Sequence, residues 1–75
     1  MKLFKLYKDD FNELCIPFRY DLKDKMYQCF CWYETLSEWR LRPRDRGYVT
    51  KTKLTIEKYE KLIPFIFDMD FANDI

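Results

Sequence analysis

Hydrophobic side chains recur at every second position through the first two thirds of the chain. In residues 14–20 the large apolar side chains Leu14, Ile16, Phe18 and Tyr20 fall on one face. This alternation predicts a strand. Pro17 lies inside the strand and has no N–H to donate, so we expect this strand to lie at a sheet edge or to be bulged.

Residues 25–33 carry apolar and aromatic side chains on both faces of a second predicted strand, after a polar hairpin turn at residues 21–24. Neither face is polar, which is typical of a central strand covered on both sides. One face consists of Tyr27, Cys29, Cys31 and Tyr33, and the other of Met26, Gln28, Phe30 and Trp32.

A third strand is predicted over residues 39–42, with Arg40 and Arg42 on one face and Trp39 and Leu41 on the other. Its arginine face is polar and its other face apolar.

Two further stretches have strand character. Residues 48–54 alternate again and are rich in β-branched side chains, so they predict a fourth strand after a loop at residues 43–47. Residues 3–8 form a short apolar and basic run, which we interpret as a short first strand or an N-terminal arm.

The period changes after residue 54. Thr55 is a suitable N-cap, and the following side chains repeat with helical spacing. Pro64 within this helix costs about 3 kcal/mol, so we expect the helix to bend or end near Ile63 and to restart. The apolar arc of the helix comprises Ile56, Tyr59, Leu62, Ile63, Ile66, Phe67 and Met69.

Strands first and a helix last indicate an α+β fold, a four-stranded antiparallel sheet followed by one C-terminal amphipathic helix. The 75 residues form one domain, with an arm at 1–12, a sheet at 13–54 and a helix at 55–72. A core of this size is marginal by itself. We therefore expect a homodimer built on the helix, through Tyr59, Leu62, Ile63 and Ile66.

Composition excludes several classes of protein. A hydrophobic content of 48% excludes a disordered chain, and the longest apolar run, residues 62–67, is too short to span a membrane. The first ten residues do not resemble a signal peptide. We expect a soluble protein of the cytoplasm or nucleus.

Neither disulfides nor a metal are expected to stabilise the chain. It has three cysteines, Cys15, Cys29 and Cys31, and no histidine. An odd, sparse set of thiols predicts neither a disulfide framework nor a zinc site, so we interpret all three as reduced, buried side chains. No cofactor is expected.

Catalysis has little support in the sequence. There is no histidine to act as a base, and Ser37 is the only serine. The carboxylate pairs Asp9–Asp10 and Asp68/Asp70 are interpreted as solvated charges. We therefore expect a protein that is not an enzyme.

The charge is unevenly distributed along the chain. Residues 40–53 hold six basic side chains against one acidic side chain, a net charge of +5, although the whole chain has a net charge of only +1. Such asymmetry favours an anionic partner. A solvated, charged loop is the alternative explanation.

Three stretches resemble the transcriptional coactivator family called positive cofactor four. Residues 21–25 (Asp-Leu-Lys-Asp-Lys) resemble its hairpin Asp-Phe-Lys-Gly-Lys, and residues 41–47 (Leu-Arg-Pro-Arg-Asp-Arg-Gly) its basic loop Met-Lys-Pro-Gly-Arg-Lys-Gly. Residues 54–59 (Leu-Thr-Ile-Glu-Lys-Tyr) resemble Leu-Asn-Pro-Glu-Gln-Trp at the start of its helix. The likeness extends over residues 14–72.

The resemblance implies a homodimer with helices packed at the twofold axis and paired sheets that form a channel for single-stranded DNA. The chain departs from the family pattern at four places. Glu34 stands where the family has an aromatic residue, Leu22 stands where it has Phe, about four extra residues precede Leu54, and Pro64 is foreign to the helix.

The residue types support this expectation separately. Single-strand binders combine cations that follow the phosphates with aromatic faces on which bases stack. The 15 aromatic side chains exceed what a monomeric core of this size can bury. The candidate nucleic-acid-binding residues are Lys23, Lys25, Arg40, Arg42, Arg44, Arg46, Lys51, Lys53, Trp32, Tyr33 and Trp39.

Two functional hypotheses follow. The first is a homodimeric, non-enzymatic protein that binds single-stranded DNA, or RNA, in transcription, replication or recombination. The alternative is a small viral or phage accessory protein that binds and inhibits a host protein through the same basic and aromatic surface. The acidic tail, residues 68–75, is a further candidate for recruiting a partner protein.

Overall fold

The structure, a computed structural model, describes residues 1–68, which form one antiparallel sheet of five strands and one helix. The elements are β1 (Tyr7–Lys8), β2 (Leu14–Asp21), β3 (Met26–Tyr33), β4 (Glu38–Arg44), β5 (Tyr48–Val49) and α1 (Ile56–Asp68). The strand order in the sheet is β4-β3-β2-β1-β5. The predicted α+β class, with an antiparallel sheet and a C-terminal helix, is confirmed.

The predicted number of strands is wrong. The stretch at residues 3–8 contributes β1, which lies between β2 and β5. The strand expected over residues 48–54 is only two residues long, because its partner β1 offers only two residues to pair with. Beyond it, Thr50 Oγ1 accepts a hydrogen bond from the backbone N–H of Thr52, at 3.1 Å, which turns the chain away from the sheet.

Strand β4 is longer than predicted and runs through Pro43 to Arg44, so the loop begins at Asp45. Its faces are as predicted. Arg40 lies opposite Cys31 and Arg42 opposite Cys29, whereas Trp39 lies opposite Trp32. Side chains of directly opposed residues share a face. Arg40 and Arg42 therefore lie on the cysteine face of the sheet.

The expected irregularity at Pro17 is present. The register between β2 and β3 shifts between Pro17 and Arg19, which is a β-bulge. After the bulge Tyr20 lies opposite Tyr27, and their rings pack edge to face with centroids 4.8 Å apart. The bulge therefore moves Tyr20 onto the cysteine face.

Helix α1 begins as predicted and continues past its proline. Thr55 caps it, since its hydroxyl accepts from Lys58 N at 3.3 Å and its carbonyl accepts from Tyr59 N at 3.0 Å. The expected end near Ile63 is wrong, because α1 continues through Pro64 to Asp68. Beyond the proline, Phe65 and Ile66 pack against the sheet, which offsets the lost backbone hydrogen bond. The predicted helical residues 69–72 lie outside the described residues.

The helix covers one face of the sheet and forms the larger core with it. At its centre are Phe30, Trp32, Trp39 and Leu62. The rings of Trp32 and Trp39 pack edge to face, 5.4 Å between centroids, and the indole N–H of Trp39 donates to the carbonyl of Lys58 at 2.8 Å. Sheet and helix are thus joined by apolar packing and a hydrogen bond.

The opposite face contains a second core of Tyr7 and the three cysteines. Cys15, Cys29 and Cys31 are all free and 0% exposed, as expected for buried thiols without disulfide bonds. Met1, Tyr27 and Tyr33 pack around them. Strand β3 is therefore central and covered on both sides, as predicted.

An ion pair closes this second face. Arg44, at the end of β4, donates from Nε to Asp9 Oδ2 at 2.8 Å, and its Nη2 lies 3.5 Å from Glu13 Oε2. Asp9 immediately follows β1, which two intervening strands separate from β4. The sheet must therefore curl until the two regions meet.

The interpretation of Asp9 as a solvated charge is wrong. Asp9 is only 3% exposed, and its Oδ1 accepts from the backbone N–H groups of Phe11 at 2.8 Å and Glu13 at 2.9 Å. Two backbone N–H groups and the Arg44 guanidinium compensate for the lost hydration of this carboxylate. Asp10, in contrast, is exposed, as a solvated charge should be.

Replacing Asp9 should destabilise the fold strongly. We expect Asp9→Ala to lower the free energy of unfolding by about 3 kcal/mol or more, because it leaves a largely buried guanidinium and two N–H groups without their partner. Glu38→Ala is the control, because it removes an exposed carboxylate whose pairing with Arg40 is expected to contribute less than about 1 kcal/mol. Urea denaturation followed by circular dichroism measures both, and equal losses would contradict this role of Asp9.

Candidate nucleic-acid interface

Three of the predicted residues meet on the exposed part of the cysteine face. Arg42 donates from Nε to the hydroxyl of Tyr33 at 2.9 Å. The guanidinium carbons of Arg40 and Arg42 each lie 5.8 Å from the centre of the Tyr33 ring, within range of a cation–π interaction. We call Tyr33, Arg40 and Arg42 the arginine–tyrosine strip.

The strip arises directly from strand geometry. Arg40 and Arg42 are two residues apart on β4, so their side chains emerge on the same face. Tyr33 ends β3, directly opposite Glu38 of β4. Among the described residues β4 is an edge strand, so no other strand pairs along its outer edge beside these side chains.

The two arginines differ in their internal partners. Arg40 is bound to the exposed carboxylate of Glu38, with Nη2 2.6 Å from Oε1. Within residues 1–68, no carboxylate lies within ion-pair distance of Arg42. Arg42 is therefore the cation of the strip that is freest to bind an external anion.

The two predicted tryptophans do not reach this surface. Trp32 and Trp39 are each 3% exposed and lie in the core beneath the helix. A ring enclosed in this way has no face on which a base could stack. Their placement removes both tryptophans from the candidate interface and leaves Tyr33 as its aromatic member.

The two arginines beyond Arg42 are engaged elsewhere. Arg44 forms the ion pair with Asp9; burial lowers its pKa, but the hydrogen bond to Asp9 and the neighbouring charges raise it further, so the pKa lies above its usual value. Arg46 is exposed and pairs with Asp10 at 3.5 Å. Arg44 is thus structural, and the charge of Arg46 is partly neutralised by Asp10.

The predicted lysines lie outside the strip. Lys23 and Lys25 are exposed on the hairpin between β2 and β3, where Asp21 Oδ1 accepts from Lys23 N at 2.9 Å. This hairpin lies beyond the Arg44 end of β4, since Tyr27 and Arg44 are opposed. Lys51 and Lys53 are exposed in the connection after β5, the edge strand at the other end of the sheet order.

Tyr20 and Tyr27 extend the aromatic surface toward the hairpin. Neither is among the predicted binding residues, although both lie on the cysteine face and Tyr20 is exposed. The alternation of β3 places Tyr27 on the same face as Tyr33, so the sequence pattern alone could have identified Tyr27 as a neighbour of the strip. The position of Tyr20 depends on the bulge, whose effect on the register cannot be read from alternation.

A cleft of about 450 Å³ lies between the start of the helix and the β1–β2 connection, and its walls include Lys8, Phe11, Trp32 and Lys58. Its carboxylate Glu34 accepts from the Trp32 indole at 2.7 Å and lies 3.4 Å from Lys58 Nζ. The indole hydrogen bond and the lysine charge hold the pKa of Glu34 below its usual value. Glu34, the most exposed carboxylate of the cleft, is therefore already bound by Trp32 and Lys58 of the protein itself.

The four residues predicted at a dimer interface divide into two pairs. Leu62 is buried and Ile66 partly buried against the sheet, as members of the helix-side core. Tyr59 is 55% and Ile63 42% exposed. With Ile56 and Phe67, which are also exposed, they form an apolar stripe along one flank of α1.

No family model, curated protein or solved structure matches this chain. The likeness to positive cofactor four therefore stays a hypothesis carried by the residues quoted above. Within the part of the chain that the structure describes, no helix is long and apolar enough to cross a membrane.

Proposed function

We propose that the protein is a non-enzymatic, homodimeric single-stranded DNA-binding protein that acts in transcription, replication or recombination. The observation that carries the proposal is the arginine–tyrosine strip, in which two guanidinium groups flank one aromatic ring on an open strand. Cations beside a stacking ring are the combination that single-strand binders use. RNA offers the same phosphates and base faces, so a preference for DNA has to be measured.

The strip favours single strands over duplexes. A base can stack on Tyr33 only if its own face is free, and the bases of a duplex are already stacked on one another. Arg42 can meanwhile bind a phosphate, since guanidinium groups match the geometry of phosphate oxygens. The hairpin lysines Lys23 and Lys25 would extend the path of the backbone beyond Tyr20 and Tyr27.

The apolar stripe on α1 supports the homodimer. Large apolar side chains that line one flank of a helix are typical of an interface. Association through this stripe would also add buried surface to a chain whose own core is small. A dimer would carry two arginine–tyrosine strips and so bind a single strand at two points.

A protein-binding accessory role is the second candidate. The observation that favours it is a set of large apolar side chains exposed outside the helix: Phe4, Phe11 and Leu22. Such side chains are typical anchors of protein interfaces. In that case the strip would face an acidic protein surface instead of phosphates.

Binding should depend on salt through Arg42 and on stacking through Tyr33. We expect a labelled single-stranded oligonucleotide to bind at low salt with a negative slope of log K against log salt concentration. Arg42→Gln should make that slope less negative by about 0.7 for each strip engaged, because each phosphate contact on a single strand contributes about that much. Lys61→Gln on the helix is the matched control and should leave the slope unchanged.

Tyr33→Leu should weaken binding by about 1–3 kcal/mol per stacked base. Tyr33→Phe retains the ring and should lose much less affinity. Trp39→Phe should lower the melting temperature without changing the slope, because Trp39 is buried. Absence of single-strand binding at low salt, or a preference for duplex, would contradict the proposal and favour the protein-binding role.

The dimer should depend on the exposed half of the helix. We expect light scattering at micromolar concentration to give twice the monomer mass of 9.4 kDa. Ile63→Glu together with Tyr59→Glu should yield monomers, since charges on the stripe oppose its burial. Leu22→Glu, which changes an exposed apolar side chain on the hairpin, should leave the dimer intact. A wild-type monomer would contradict dimerisation.

A further inference from the structure

The three thiols form one cluster within the curl of the sheet. Cys15 on β2 and Cys31 on β3 are directly opposed in the register, and Cys29 is opposed to Pro17. All three side chains lie on the same face, and none is exposed to solvent. The fold thus concentrates all of the protein's thiols at one place that the proposed DNA-binding surface does not use.

Strand geometry selects one pair for a disulfide. Opposed residues of an antiparallel pair have Cα atoms about 4.5 or 5.5 Å apart, and both values lie within the approximately 4.4–6.8 Å range of disulfides. Cys15 and Cys29 are diagonal neighbours, about 7–8 Å apart. Cys29 and Cys31 follow one another on the same face with parallel side chains. Cys15 and Cys31 are therefore the pair that can join without moving a strand.

Cys15 lies beside both other thiols, opposed to Cys31 and diagonal to Cys29, so it is the sulfur that both of them can stabilise as a thiolate. Hydrogen bonds from the Cys29 and Cys31 thiols lower the pKa of Cys15, and the Arg44 guanidinium acts in the same direction; burial and the Asp9 carboxylate oppose them. The pKa values of Cys29 and Cys31 are raised, first by those same hydrogen bonds and then by burial. Cys29 also lies 3.7 Å from the carbonyl of Tyr27, a second acceptor for its proton.

We propose that this cluster is a peroxide-reactive site in which hydrogen peroxide converts Cys15 and Cys31 into a cross-strand disulfide. The sulfur of Cys15 attacks one peroxide oxygen and the O–O bond breaks. The leaving hydroxide takes the thiol proton and departs as water, which leaves a sulfenic acid on Cys15. The sulfur of Cys31 then attacks the Cys15 sulfur, and the S–O bond breaks. The hydroxide released from Cys15 takes the proton of Cys31 and departs as a second water. Two thiols are thus oxidised and one peroxide is reduced.

The reagent reaches the cluster through the N-terminal segment. Met1 packs on the cysteine core, yet residues 1–6 belong to no helix or strand. Two hydrogen bonds hold this segment: Phe4 N donates to the Pro17 carbonyl at 2.6 Å, and Lys2 N donates to the side-chain hydroxyl of Tyr7 at 2.8 Å. Segments with few such contacts open locally without global unfolding, and hydrogen peroxide is little larger than water.

Peptide mapping of the native protein tests the site. The reduced protein is treated with hydrogen peroxide, quenched, alkylated in denaturant and digested without reductant. We expect one intramolecular link between Cys15 and Cys31, with Cys29 alkylated. Cys29→Ser should form the same link, whereas Cys31→Ser should stop at a sulfenic acid on Cys15 that a sulfenic-acid-specific nucleophile traps. Circular dichroism before treatment checks that each variant is folded.

Three outcomes would overturn the proposal: a predominant link through Cys29, a link between chains, or thiol loss no faster than global unfolding. The unfolding rate is measured separately by denaturant jump. Experiments on the wild-type protein alone identify the disulfide link and give the rate of thiol loss. A variant that fails to fold therefore does not affect the conclusion. None of these readouts depends on nucleic-acid binding.

Discussion

The ion pair between Asp9 and Arg44 is the constraint on which the rest of the structure depends. It joins residues 35 positions apart and brings the end of β4 to the β1–β2 connection across a sheet in which two strands separate them. A flat sheet of this order could not make that contact. The resulting curl buries the cysteine face on one side, while the helix covers the other, so a short chain gains two cores from a single sheet.

The alternation of side chains was sufficient to predict the part of the candidate site that depends on local geometry. Side chains two residues apart on a strand share a face, which is why Arg40 and Arg42 could be assigned together from the sequence. The partner of Arg44 could not be predicted, because it depends on how the sheet curls. For the same reason the sequence does not reveal that Asp9, a carboxylate next to another carboxylate, is buried.

The aromatic side chains show a second limit of sequence reasoning. Their number indicated that some must lie outside the core, but number alone does not say which ones. Trp32 and Trp39 are opposed on neighbouring strands beneath the helix. They are buried there because their large rings remove more apolar surface from water than smaller side chains would. Tyr20 is exposed and Tyr33 is partly exposed, so each phenol can retain a hydrogen bond, to water or, for Tyr33, to Arg42. Helix α1 likewise continues through Pro64, since tertiary packing outweighs a local preference.

An exposed edge strand needs charge, and this need alone could explain basic residues on β4, since charged edges resist pairing with other chains. Any cation would serve that purpose, and a flexible lysine is the usual choice. Strand β4 instead carries arginines at two exposed alternate positions, Arg40 and Arg42, and Arg42 is held by the hydroxyl of Tyr33. Holding a guanidinium in this way limits its freedom, which gives no advantage in repelling a strand. It does lower the entropy lost when that guanidinium binds an anion. The geometry of the strip therefore favours recognition over protection as the reason for its arginines.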